Sequence, residues 1–555
     1  MSTTMDAAAP IPNSETPVDI DALTRTIASL QSEVLALRQE NEQQREQIRI
    51  MRAREYGRKS EKRTVEDIRQ GRLFDEAELH AAESAEAPIM EQVRIRKTVY
   101  SRRKPGRKPI SAKLARVEVV VDLTEEEKRV EEGFELVRIG EETSEQVHEI
   151  PQKYVVIRTV RPKYAVKSRT GNIASAQDGK GPIRVASAPA CILPRSIATP
   201  SLLASVLTGK FCDALPFYRQ ERMFLRFGLE ISRQDMANWA IAVASRVDGY
   251  LAILERELLA GSFIHSDETF FQVMGDDGRT TGSKSYMWVL TGGAENRRVV
   301  LYRYHAKREG AFISNLLANY TGYLQTDGYA GYNAIGEKDG IIHVGCWAHV
   351  RRYFVEAHEA AMKKGAAIEA IEKIGRLYDE ERSLRQKFFG DGGTQDRAAF
   401  VEKRRTAVLP IFEDIRSWLK AKSAETNPTS ALGKAVSYTL GQWSLLVRYI
   451  ECADLTPDNN EAERAIRPFT VGRNNWVISG GPRGAQASAT LYSLIETFKL
   501  NGLDPYYALR YLLTKLPVIS DEELEAILPW NLRPEELHEL VVEDARISLA
   551  SIPID

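Results

Sequence analysis

The chain has 555 residues, with 76 Lys and Arg against 77 Asp and Glu, so net charge singles out no class of partner. Four widely spaced cysteines, Cys191, Cys212, Cys346 and Cys452, form no CxxC pair, which excludes a disulfide framework and a cysteine-rich zinc site. The N-terminus has no signal-peptide core, and no run of about 20 apolar residues could span a bilayer; a soluble cytoplasmic protein with no membrane partner is expected.

Residues 1–18 are rich in Ala, Pro, Ser and Thr, and disorder is expected there. A heptad occupies 19–56: Ile20, Leu23, Ile27, Leu30, Val34, Leu37, Asn41, Gln44, Ile48 and Met51 recur with alternating steps of three and four. This is the a/d seam of a coiled coil, through which residues 20–51 would form a homo-oligomer, with Asn41 setting register and strand number. One amphipathic helix packed on its own domain is the alternative. Residues 57–116 read as a linker, acidic over 64–93 and then basic. Arg102, Arg103, Lys104, Arg107 and Lys108 gather around "KPGRKP", which resembles an AT-hook, an arm that lays Arg into a narrow A·T minor groove. A solvated linker has the same composition, but this density of cations favours a polyanion such as double-stranded DNA.

Short alternating runs such as "RVEVVVDL" and "KYVVIRTVRPKYAV" predict a small β-rich module over 117–195. Residues 196–258 read as helices. "PFYRQERMFLRFG" and "ISRQDMANWAIAVASRV" are joined by a short Gly-containing turn with Ser232 as N-cap. That is compatible with a helix-turn-helix exposing Arg233, Gln234 and Asn238 to DNA. A purely structural helix pair fits the same pattern.

Residues 259–355 alternate strands and helices. "FFQVM", "SYMWVLTG" and "RRVVLYRYH" mark three strands, the first entered through "GSFIHSDET", and "GAFISNLLANY" is a helix. "GYLQTDGYAGYNAI" is a strand that stops at Asp327, and "GIIHVGCWAHVRRYF" is a strand entering a helix. This order is that of the ribonuclease H-like fold, a mixed five-stranded sheet with helices. In that fold an acid in the middle of the first strand, here Asp267, meets an acid at the end of the fourth, here Asp327. Two adjacent carboxylates repel unless a cation lies between them, and Mg2+ or Mn2+ on oxygen ligands suits phosphodiester chemistry. A third carboxylate is needed on a helix facing the strands. Glu463 in "DNNEAERAIRPF" is the candidate, and Glu496 in "SLIETFKLNG" is its rival. Glu461 and Arg464 could instead make the first of these helices a surface salt-bridge ladder. A helical stretch over 356–455 separates Asp327 from Glu463; the core resumes over 456–516, and 517–555 reads as a C-terminal tail.

"MRAREYGRKSEK", "LPFYRQERMFLRFG", "HSDET", "LQTDGYAGY", "GCWAHVRRYF", "DNNEAERAIRPF" and "SLIETFKLNGLDPYYALRYLL" resemble, in this order over roughly 20–520, the insertion-sequence-66 family of bacterial DDE transposases. The resemblance implies a multidomain α+β recombinase with a helical insertion before its last acid. Asp267, Asp327 and Glu463 would then be catalytic and hold Mg2+ or Mn2+. It also implies binding of insertion-sequence ends, metal-dependent cleavage and strand transfer, a place at the nucleoid and small companion proteins of the same element. Arg464, Arg467 and Arg473 are expected on DNA phosphates. Cys346 and His349 stand at the Cys-x-x-His spacing of related DDE transposases and are expected to pack and hydrogen-bond beneath the site. Two departures stand out. The family carries paired cysteines in a zinc-binding module before the helix-turn-helix, and here their positions fall on residues such as Glu132, Phe134 and Val166. No structural zinc is therefore expected. Asn474 stands where the family usually has Lys. A catalytically inactive end-binding oligomer and a structure-selective nuclease of the same fold are the alternative functions.

Overall fold

The computed structural model describes residues 154–165 and 183–550, apart from 276–282, 295, 337 and 361–364, together with Leu30, Gln31, Glu33, Val34, Leu37 and Gln44 upstream. Those upstream positions are helical, and Leu30, Val34 and Leu37 are exposed. The basic arm with Arg102, Arg103, Lys104, Arg107 and Lys108, and most of the heptad and β-rich module, lie outside the described residues. The chain divides into one unit of residues 86–159 and another of 1–85 with 160–555. All the secondary structure below belongs to the second.

A short antiparallel pair, β1 (Lys163–Ala165) and β2 (Ile183–Val185), precedes four helices: α1 (Pro200–Phe211), α2 (Phe217–Arg226), α3 (Arg233–Arg246) and α4 (Asp248–Leu259). Ser232 caps α3 by accepting from the Asp235 amide at 3.1 Å, which satisfies one of the helix's orphan donors. Gly228 turns the chain between α2 and α3 at φ +76°, where a side chain would be strained.

The sheet follows. β3 (Phe263–Val273), β4 (Lys284–Ala294) and β5 (Arg297–His305) form an antiparallel meander. After α5 (Gly310–Leu316), β6 (Gly322–Gln325) joins parallel to β3; after α6 (Asn333–Gly336), β7 (Ile341–Val344) joins parallel to β6 and leads into α7 (Trp347–Ala360). The strand order is β5-β4-β3-β6-β7. A sixth strand, β8 (Ile478–Ser479), adds parallel to the far end of β3, where five strands were expected. Two residues are too few to show an alternation in sequence.

Four helices, α8 (Ala366–Phe389), α9 (Arg397–Glu425), α10 (Ala431–Gly441) and α11 (Trp443–Leu446), fill the stretch read as a helical insertion. They build an apolar cluster of their own with Trp347 and Phe354 of α7. α12 (Asn460–Trp476), α13 (Pro482–Leu500) and α14 (Pro505–Lys515) return to the sheet's core. The stretch read as a tail contains a further helix, α15 (Pro534–Ala550). It is anchored where the buried Arg510 donates to Glu543 at 2.8 Å and Asp544 at 2.7 Å. The fold is mixed α/β, mostly helical, around one mixed sheet.

Candidate active site

Side chains alternate along β3. His265, Asp267, Thr269 and Phe271 share one face. On it His265 Nδ1 meets Asn459 Oδ1 at 3.0 Å, Arg473 of α12 donates to Thr269 Oγ1 at 3.0 Å, and Phe271 lies edge-on to Phe469 at 5.1 Å. On the opposite face the Tyr332 hydroxyl bonds Ser266 Oγ at 3.1 Å and donates to Glu268 at 2.6 Å. Asp267 therefore lies under α12. The parallel register pairs His265 with Gln325, and two more residues along both chains bring Asp327 alongside Asp267 just past the end of β6. The Asp327 carboxylate accepts the Tyr329 amide at 3.0 Å, which shapes the turn. Gly328 packs tightly there, because a Cβ would push the Tyr438 ring of α10 aside. Glu463 stands in the first turn of α12.

The electrostatics tie these acids together. Burial pushes the Asp267 carboxyl well above the ordinary carboxylate range, and the charges of Glu268, Glu463 and Asp327 push it further. The other carboxylates are committed elsewhere. Glu268 is paired with Arg308, whose Nε lies 2.7 Å away. Glu461 holds Arg298, with His265 Nε2 at 3.7 Å; burial would raise its carboxyl, but these neighbours bring it below the usual range. Glu496 takes Lys499 at 2.9 and 3.1 Å and is not among the leading charges that act on Asp267. Glu463 differs: its Oε1 is buried without a hydrogen-bond partner, 3.8 Å from His349 Nδ1 and 3.9 Å from Arg352.

Among the described residues no three His, Cys, Asp or Glu side chains stand close enough to hold a metal ion as they are. The donor set nonetheless fits a hard divalent cation, because the Glu463 oxygen is unbonded and Asp267 is crowded by like charges that a cation would relieve.

Cys346 and His349 open α7 beneath the acids. Cys346 Sγ accepts the Asn459 amide at 3.2 Å, and burial pushes its thiol up, so it stays protonated. Burial lowers the His349 pKa, Arg352 lowers it further, and Glu463 opposes them. Among the expected DNA contacts, Arg233 and Arg464 are exposed and Arg467 is partly buried. Arg473 is engaged by Thr269 and the Phe270 carbonyl. Asn459 was not singled out from sequence. It is buried, donates to the Ser266 carbonyl at 2.8 Å, and with His265 pins the start of α12 to β3 beside Asp267. Its only signal was a polar pair, "NN", ahead of a helix.

Family comparisons define the class of protein. A model described as the transposase IS66 family matches residues 195–487, and an IS66 C-terminal element matches 493–530. Two further models match upstream: "Transposase C of IS166 homeodomain" over 43–119, and the zinc-finger binding domain of transposase IS66 over 132–165. The chain belongs to the IS66 family of transposases. The zinc-finger match points toward zinc, yet residues 132–165 hold no cysteine and one histidine, His148. Three proteins of Sinorhizobium fredii (strain NBRC 101917 / NGR234), each named as uncharacterized, are similar to the chain. The one called y4qI is 28% identical over 566 residues, covering 95% of this chain and 99% of its own. Those called y4hP and y4jD are 27% and 29% identical, covering 83% and 72% of this chain and 85% and 77% of their own. No helix among the described residues is long and apolar enough to cross a membrane.

Proposed function

We propose that this transposase uses Asp267, Asp327 and Glu463 as a DDE triad on a ribonuclease H-like core of residues 259–355 and 456–516. The observation that carries the reading is the β3–β6 register, which runs Asp327 alongside Asp267 under the helix that bears Glu463. The sheet order β5-β4-β3-β6-β7, with its antiparallel meander and two parallel additions, supports the ribonuclease H-like reading. The three carboxylates would hold Mg2+ or Mn2+, which when bound supplies Lewis acidity to the attacking and departing oxygens. Glu268, Arg308 and Tyr332 brace β3 against the Asp327 turn from the other face. The exposed Arg464 and Arg233 would take DNA phosphates. Water cuts each element end, and the freed 3′-hydroxyl then attacks a phosphodiester of target DNA, forming a new P–O bond as the old one breaks. Residues 20–51 would pair two ends by self-association. Without thiolates, the 132–165 module is expected to fold with no zinc.

The test is Asp267→Asn on the full chain with a DNA fragment carrying an element end. Mg2+-dependent nicking should vanish while gel-shift affinity stays within about twofold, since an amide lacks the negative charge that a carboxylate brings to a divalent cation. Retained nicking overturns the triad. The cysteine-free zinc module favours one other reading, an inactive end-binder, for which the wild type would bind ends and never nick them.

A further inference from the structure

We propose that His349 is a nitrogen ligand of the divalent cation that Glu463 holds, making the site a mixed imidazole and carboxylate one. This rests on the reading of Asp267, Asp327 and Glu463 as metal ligands. The observation is a pair of buried atoms, Glu463 Oε1 and His349 Nδ1, that face each other 3.8 Å apart, each without a hydrogen-bond partner. That separation is too long for an N–H···O bond, and each unsatisfied buried group costs about 1–3 kcal/mol. A third body bonded to both removes the cost.

Two third bodies have the reach. Two bonds of about 2.1 Å let one cation hold a nitrogen and an oxygen up to about 4.2 Å apart. A water donating to both from about 2.8 Å would hold them nearer to about 4.4 Å. The observed 3.8 Å is within the reach of both, and the like charges of Glu268, Glu463 and Asp327 crowded on Asp267 favour the cation.

The main chain imposes this facing. The Trp347 amide donates to the Pro457 carbonyl at 2.9 Å, and the Asn459 amide donates to Cys346 Sγ at 3.2 Å. These contacts lock the first turn of α7, which carries His349, to the loop that starts α12, which carries Glu463. Cys346 is consumed in that lock. The Cys-x-x-His pair therefore divides its work: the thiol fastens two helices and the imidazole faces the acids. Arg352, 3.9 Å from the same Glu463 oxygen but half-exposed, is the cation's rival for it.

An imidazole ligand draws a site away from Mg2+ toward transition metals, of which Mn2+ also accepts carboxylates and reports its ligands through its unpaired electrons. The experiment is a Mn2+ titration of the full chain followed by electron paramagnetic resonance, with pulsed detection of nitrogen bound directly to Mn2+. The wild type should show the nitrogen coupling. His349→Ala should lose it and bind Mn2+ at least about tenfold more weakly, and His349→Gln should recover affinity without the coupling. Circular dichroism checks that each variant is folded. Wild-type Mn2+ that depends on Asp267 but shows no nitrogen coupling, or a coupling that survives in His349→Ala, overturns the assignment and leaves the triad standing. If Asp267→Asn and Glu463→Gln bind Mn2+ as tightly as the wild type, the triad reading fails and His349 falls with it.

Discussion

Lys210 ends α1 with its ammonium 4.6 Å from the Phe217 ring, 5.6 Å from Trp476 and 5.7 Å from Phe211. Burial lowers its pKa to about 8. Below that pH the folded chain carries a charge that its surroundings disfavour. Between about 8 and 10.5 the unfolded chain keeps a proton that the folded chain has released, so stability rises with pH across that window. Lys210→Met is expected to stabilise the protein at pH 7 by about 1–2 kcal/mol, less than the full linkage because the side chain is only partly buried. The gain should shrink as pH approaches 10. Thermal melts at both pH values check this, and a loss at pH 7 would mean that the aromatic contacts outweigh the burial. Nothing in "LTGKF" signals such a cage, since its rings come from α1, the start of α2 and the end of α12. The acids were legible for the opposite reason. A charge in an apolar strand, such as Asp267, is costly unless something binds it.

At the scale of elements, the outer edge of β5 shows how this sheet avoids exposed backbone. Ser493 Oγ and Thr497 Oγ1, one turn apart on α13, accept the Tyr302 amide at 2.7 Å and the Val300 amide at 3.0 Å. The Thr497 hydroxyl donates back to the Val300 carbonyl at 3.1 Å, while Ser493 gives its proton to the Ala489 carbonyl of its own helix at 2.7 Å. A helix thus stands in for the next strand. Ser493→Ala with Thr497→Val leaves two buried amides unpaired and should cost about 2–5 kcal/mol. Urea unfolding measures the loss, and hydrogen exchange should quicken at Val300 and Tyr302; unchanged protection there would refute the edge role. The strands β3 to β5 were visible in their alternation and α12 in its amphipathic repeat. The hydroxyl pair was hidden in "SATLYSLIETF", because spacing on a helix does not tell which neighbour it meets.

At the scale of the molecule, Arg404 of α9 joins the helical insertion to the chain that enters the site. Fully buried between the Phe400 and Tyr449 rings, it donates to Glu381 at 3.2 Å and to the carbonyls of Tyr449, Cys452 and Leu455 at 2.9, 2.5 and 3.0 Å. Those carbonyls immediately precede the loop that starts α12. Arg404→Met is expected to cost about 3–5 kcal/mol, because Glu381 loses a buried partner and the Tyr449 carbonyl loses the guanidinium, while the Leu455 and Cys452 carbonyls keep only Arg385 and the Leu455 amide. Exchange over 449–463 should rise and nicking should fall with it. Unchanged exchange beyond Leu455 would show that the insertion does not position Glu463.

The sequence by itself determined the family, the order of strands and helices through the sheet, and Asp267 and Asp327 as the acids to watch. Those features are local: periodicity, a strand's end, a charge in an apolar run. Only the tertiary structure decided that Glu461 and Glu496 are tied to cations while Glu463 keeps an unbonded oxygen. It alone joined Asn459 to Ser266 and set His349 opposite Glu463. Glu496 and Lys499 are neighbours on one helix, but the pairs of Glu461 with Arg298, Asn459 with Ser266 and His349 with Glu463 each span more than a hundred residues, and partners that far apart are chosen by packing, which no local pattern encodes.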